Sequence, residues 1–156
     1  MRYRKKSTKT EIAKYGYQFK SGLELLIADQ LQEAGVKWEY ETVGIDYLDT
    51  KRNSVCNDCG SSDVSIKRTY WPDFILEKKA GGFMYLEGKG KWDQAGRSKM
   101  TKIKKSTDID VRMVFESDNW LNSNHKTRYS DFAAQKGMPW SIKVIPPRWL
   151  EEVVKG

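Results

Sequence analysis

Residues 70–89 read Tyr70-Trp71-Pro72-Asp73-Phe74-Ile75-Leu76-Glu77-Lys78-Lys79-Ala80-Gly81-Gly82-Phe83-Met84-Tyr85-Leu86-Glu87-Gly88-Lys89. Two apolar runs flank a turn at 78–82 that carries Gly81-Gly82, the pattern of a β-hairpin. Pro72 stands near the start of the first arm, where a strand tolerates a missing N–H. Side chains two apart on a strand face the same way, so Glu87 and Lys89 project together and Gly88 points away. Antiparallel pairing of residues 73–76 with residues 83–87 brings Asp73 beside Glu87. Two carboxylates on one sheet edge suit Mg²⁺, which wants oxygen ligands and keeps several waters. Lys89 next to them can stabilise charge on a phosphorus centre. A Glu-x-Lys alone is more often a surface ion pair. Here the charges end otherwise apolar strands, and Pro72-Asp73 lies one hairpin upstream.

Outward from the hairpin the chain alternates helices and strands. Residues 21–34 predict a helix with Leu23, Leu26, Ile27, Leu31 and Ala34 on one face. Ser21 is its N-cap, Glu24 completes a capping box, and Gly35 ends it. A strand is expected at 36–40. Residues 95–106 suit a basic helix with Met100 and Ile103 inward, and residues 109–115 a strand with Ile109, Val111, Met113 and Phe115 on one face. Helices at 128–136 and 148–154 enclose a short strand at 141–145. Residues 1–18 read as a basic flexible arm, and 49–68 as a polar, turn-rich insertion. The order implies one α/β domain over 1–156, a mixed central sheet flanked by helices.

The 28 basic and 21 acidic residues give a net charge of +7, which favours polyanions, nucleic acid above all. Lys5, Lys6, Lys9 and Lys14 can follow a DNA backbone. No apolar run approaches a membrane span, and no apolar segment follows the basic N-terminus, so no membrane partner and a cytoplasmic location are expected. The only cysteines, Cys56 and Cys59, form a C-x-x-C pair, half of a structural zinc site. A twofold dimer can bring two such pairs together; two free thiols are the plainer alternative. Trp92 is more ordinary as a core aromatic than as a base-stacking one, and His125 has no partner motif.

Pro72-Asp73 followed by Glu87-Gly88-Lys89 resembles the PD-(D/E)xK nuclease superfamily, with Glu24 as the further acid of the first helix. The resemblance narrows to the phage endonuclease I family of Holliday-junction resolvases. It runs through 19–24 (Phe-Lys-Ser-Gly-Leu-Glu), 70–74 (Tyr-Trp-Pro-Asp-Phe), 86–90 (Leu-Glu-Gly-Lys-Gly), 108–115, 129–132 and 145–149. It implies a restriction-endonuclease-like fold and an intertwined homodimer in which Glu24 of one chain joins Asp73, Glu87 and Lys89 of the other. It also implies Mg²⁺-dependent cleavage of branched DNA, with Mn²⁺ as an expected substitute. Asp73 and Glu87 would bind metal, Glu24 would be a ligand or base, and Lys89 would neutralise charge. Lys20, Lys91, Arg97, Lys99 and Lys102 are candidate phosphate contacts. A duplex-cutting enzyme of the same superfamily, a non-catalytic DNA-binding protein and a zinc-linked structural dimer are the competing readings. Gly88 replaces the family's usual threonine, and the Cys56–Cys59 segment falls where its interdomain bridge should run.

Overall fold

The computed structural model describes residues 13–52 and 63–156. Its elements are β1 (Ala13–Lys14), β2 (Tyr17–Gln18), α1 (Gly22–Glu33), β3 (Glu39–Tyr40), β4 (Ile45–Arg52), β5 (Asp63–Tyr70), β6 (Phe74–Glu77), β7 (Phe83–Lys89), α2 (Gln94–Ser106), β8 (Asp110–Phe115), α3 (Tyr129–Gln135), β9 (Trp140–Ile142) and α4 (Pro147–Glu151). Five strands form the central sheet in the order β3-β6-β7-β8-β9. The β3–β6 and β6–β7 pairs are antiparallel, while β7–β8 and β8–β9 are parallel, so the sheet is mixed as expected.

Alternation along the strands splits the core into two layers. Phe74, Leu76, Met84, Leu86 and Val114 pack with Leu23, Ile27 and Leu31 of α1 and with Trp149 of α4. Ile75, Tyr85, Val111, Met113 and Phe115 face the other way, toward Met100 and Ile103 of α2 and Tyr129 and Ala133 of α3. Helices therefore cover both faces, and each fully buried Leu or Met contributes about 2 kcal/mol. Trp92 is 1% exposed and packs on Phe115, Tyr129 and Phe132 as a core residue.

Several expectations need correction. Residues 13–18 are not part of an arm: Tyr15 and Gly16 turn at positive φ between β1 and β2, and Tyr15 and Tyr17 pack on Trp38. Lys14 is paired to Asp29 at 2.9 Å. Every described residue of 49–68 belongs to an antiparallel ribbon, β4–β5, in register from Ile45↔Tyr70 to Arg52↔Asp63. Leu26 lies outside the helix face that packs and is 41% exposed; Ala28 takes the inward position. The strand expected at 36–40 shrinks to β3, and its predecessor Val36 makes only an isolated bridge to Lys155. Residues 1–12 and 53–62, with Lys5, Lys6, Lys9, Cys56 and Cys59, lie outside the described residues.

Candidate active site

The β6–β7 hairpin builds the centre of the site. Its last paired residues are Phe74↔Leu86, so Asp73 stands one step beyond, across from Glu87. The Gly88 N–H donates to Asp73 Oδ2 at 2.9 Å and fixes that approach. Lys89 Nζ lies 2.9 Å from Glu87 Oε1, and the Tyr70 hydroxyl donates to Glu87 Oε2 at 2.6 Å. Gly88 indeed faces away, toward α1: a Cβ there would sit 3.0 Å from Ile27 Cδ1 and 3.5 Å from Leu23 Cδ2. Glycine thus lets α1 lie close over β7, which brings Glu24 to the end of the sheet.

Glu24 is oriented by its helix start. The Ser21 hydroxyl accepts from the Glu24 N–H at 3.2 Å, while the Glu24 carboxylate accepts from Lys20 N–H at 2.8 Å, one residue before the box partner the sequence implies. The Tyr40 hydroxyl donates to the same Glu24 oxygen at 2.6 Å. Together Glu24, Asp73, Glu87 and Lys89 line one open cavity of about 530 Å³, with Lys20, Glu41, Trp71 and Lys99. One chain brings the four residues together without a partner. A larger cleft of about 670 Å³ between β4 and α2, lined by Leu48, Ser98, Thr101 and Lys102, has no carboxylate among its lining residues.

The electrostatics are unbalanced. Glu24, Asp73 and Glu87 are each buried, at 7%, 8% and 5% exposure, around the ammonium of Lys89. Burial first, then Glu87 and Glu24, pushes Asp73 up to about 8. Burial pulls Lys89 down, but Glu87, Asp73 and Glu24 more than offset it and leave the ammonium above its ordinary value. Burial and the Glu87 charge also push the Tyr70 phenol up, which keeps it a hydrogen-bond donor. Mutual repulsion among buried carboxylates is relieved by a cation. Among the described residues no three acidic, His or Cys side chains close tightly enough to cage a metal alone. The donor set fits a hard dication held by Asp73 and Glu87, its remaining positions filled by water and substrate oxygens, as Mg²⁺ prefers. Glu24, held by Tyr40 and Lys20, lines the same cavity.

The candidate phosphate contacts fall in different places. Lys20 and Lys99 line the cavity; Lys20 is ion-paired to Glu41, and Lys99 lies 5.4 Å over the Tyr70 ring. Lys102 is ion-paired to Asp49 at 2.5 Å, Arg97 donates to the Trp92 carbonyl, and Lys91 is exposed just after β7. His125 stacks on Trp120 at an exposed loop, away from the cavity. Sequence reasoning did not single out Tyr40, Glu41 or Trp71. Tyr40 fits an apolar strand face, and nothing in its spacing reveals the hydroxyl's partner.

The family model for phage endonuclease I matches residues 4–156. The chain is 31% identical over 139 residues to "Endonuclease I" of Escherichia phage T7, covering 88% of this chain and 81% of that protein. It is 29% identical over 142 residues to "Endodeoxyribonuclease 1" of Enterobacteria phage T3, covering 90% and 82%. With the sheet, the hairpin and the carboxylate cavity in place, the chain belongs to the phage endonuclease I family.

Proposed function

We propose that this protein is a divalent-metal-dependent endodeoxyribonuclease that resolves four-way junctions and related branched DNA. The observation that carries it is the convergence of three buried carboxylates and one ammonium on a single open cavity beside basic side chains. Relatives named as endonuclease and endodeoxyribonuclease support the reaction class.

Asp73 and Glu87 would hold the cation, which when bound supplies Lewis-acid polarisation of the phosphodiester and activation of water. The chain's own groups do the rest. Tyr70 and Lys89 each hold one Glu87 oxygen, and the Gly88 N–H holds Asp73, so the carboxylates are oriented before substrate arrives. Lys89, kept protonated, neutralises negative charge that builds on the phosphate oxygens in the transition state. Glu24 can accept a proton from water in the cavity, with Tyr40 fixing its carboxylate. Products would carry a 5′-phosphate and a 3′-hydroxyl. Lys20 and Lys99 would contact phosphates, which positions DNA without reading its sequence.

A homodimer would present two such sites to one junction. The ribbon β4–β5 forms its own sheet, and among the described residues it links α1 and β3 to β6–β9 along the chain. An exchange of the segment bearing α1 and β3 with a partner would leave the β6–β9 pairings within one chain and remake the β3–β6 pair between two chains. Mixing Glu24→Ala with Lys89→Ala subunits then restores one good site per mixed dimer; no recovery means that each site is built within one chain. The protein would act in the host cytoplasm, and among the described residues no helix is long and apolar enough to cross a membrane.

The test of the activity compares a four-way junction with linear duplex of the same sequence, at matched salt, with and without Mg²⁺. Faster, Mg²⁺-dependent cutting of the junction is expected. Equal rates would assign the enzyme to plain duplex, and no cleavage would reject the nuclease assignment.

A further inference from the structure

We propose that Trp71 is a base-stacking residue, whose indole receives a nucleobase left uncovered beside the scissile phosphate. It would thereby favour DNA with unpaired or splayed bases over continuous duplex, an inference that rests on the nuclease activity proposed above. Trp71 is 54% exposed, while Trp92 and Trp149 are buried at 1% and 2%. It stands two residues before Asp73 and lines the same cavity as Glu87, Lys89 and Lys99.

Its position is built into the fold. A Cβ on Gly44 would come within 3.0 Å of Trp71 Cζ2 and 3.2 Å of Cε2, and within 2.8 Å of Thr69 Cγ2. Only glycine leaves room for the six-membered ring to rest against the backbone at the start of the ribbon. On the other side of the residue, Pro72 biases the Trp71 backbone toward extended conformations and fixes the next φ. The indole is therefore held on one side and open to solvent over more than half its surface.

Every base carries a π-face, so an aromatic platform binds bases with little regard to sequence. In continuous duplex both faces of an interior base are covered by its neighbours. At a branch, a nick or a mismatch one face can be freed, and it can then be covered by an indole at little unstacking cost. Lys20, Lys89 and Lys99 around the same cavity supply the charge that tracks a backbone. Basic groove plus aromatic platform is the combination that holds unpaired strands.

The test first maps the scissile phosphate on a branched DNA with wild-type enzyme, then places 2-aminopurine next to it. Trp71→Ala should lower cleavage of this DNA about tenfold or more, the loss of one aromatic–base stack, and Trp71→Phe should keep most of the rate. Gly44→Ala, which displaces the ring, should shift the rate in the same direction. In the cleavage-deficient Asp73→Asn protein, binding should quench the 2-aminopurine fluorescence, and adding Trp71→Ala should abolish the quench. Unchanged cleavage and quenching in the Trp71→Ala proteins overturn the proposal while leaving the nuclease standing. An equal loss on linear duplex also overturns it, because selectivity for uncovered bases would then be absent. If wild-type enzyme cuts no DNA, both fall together.

Discussion

At one end of the central sheet Arg112 is clamped between two carboxylates, 2.8 Å from Asp110 and 2.8 Å from Glu152, with Lys78 adding a second cation 3.2 Å from Asp110. At the other end the buried Glu24, Asp73 and Glu87 gather around the half-buried ammonium of Lys89. The strands between are the same, β6, β7 and β8. The first cluster has as many positive as negative charges. Burial pushes Asp110 up, but Arg112 and Lys78 prevail and hold it below the ordinary carboxylate range, and Arg112 does the same for Glu152. In the second cluster burial and its acidic neighbours push Asp73 up to about 8. A satisfied cluster stabilises a fold, whereas an unsatisfied one is a binding site for what it lacks. Charge balance and burial together separate structure from function here: the acids of the balanced end are more exposed, while those of the unbalanced end are buried with too few cations.

Breaking the unbalanced end should produce the largest effect. Asp73→Asn or Glu87→Gln should reduce Mg²⁺-dependent cleavage by at least about 100-fold while DNA binding persists, because each keeps shape and removes one charge at the reacting centre. Glu152→Gln, at the balanced end, should leave cleavage unchanged. Single-turnover rates and gel-shift binding on the same junction check all three; full cleavage by the Asp73 and Glu87 variants would reject the site. Breaking the balanced end should instead cost stability. Arg112→Ala strands Asp110 and Glu152 without their main partner and should cost about 3 kcal/mol in urea unfolding.

The two ends also predict opposite pH slopes. Asp73 has a raised folded pKa, so its contribution to stability is present at low pH and is lost as pH rises through about 8. Asp110 has a lowered one, so its contribution is present above the unfolded carboxylate range and is lost as pH falls. Thermal melting of metal-free protein should therefore weaken as pH rises from the ordinary carboxylate range to about 8 and level off above it, and Asp73→Asn should flatten that limb alone. A wild-type melt that is level between about pH 5 and about pH 8, inside the window between the unfolded and folded values, would contradict the assigned repulsion. The smallest effect is expected at Gly88, where alanine meets Ile27 at 3.0 Å and should cost about 1 kcal/mol from overpacking.

What the sequence discloses follows the same contrast. The hairpin that carries Asp73, Glu87 and Lys89 was legible because its apolar runs alternate cleanly around a glycine turn and its charges interrupt them. The ribbon β4–β5 was not, because both its faces carry polar side chains. Ile45 and Tyr47, and Val64, Ile66 and Tyr70, do alternate, but the alternation is short and interrupted by charged residues that form cross-strand pairs such as Thr69–Asp46 at 2.9 Å and Arg68–Asp49 at 2.7 Å. The β1–β2 turn was missed because tyrosine rarely takes the positive φ that Tyr15 adopts. Tyr40 and Tyr70 were visible as apolar strand residues, but which carboxylate each hydroxyl meets depends on packing between distant segments. The resemblance to the phage endonuclease I family supplied Glu24, which helix capping alone explains without any chemistry.

Calorimetric titration of Mg²⁺ or Mn²⁺ into wild-type and Asp73→Asn protein, in the absence of DNA, tests the carboxylate cavity most directly. Saturable binding to the wild type, greatly weakened in the variant, is the predicted result. Identical isotherms for the two proteins, or the same binding after Asp73→Asn and Glu87→Gln are combined, would show that the cation is not held there.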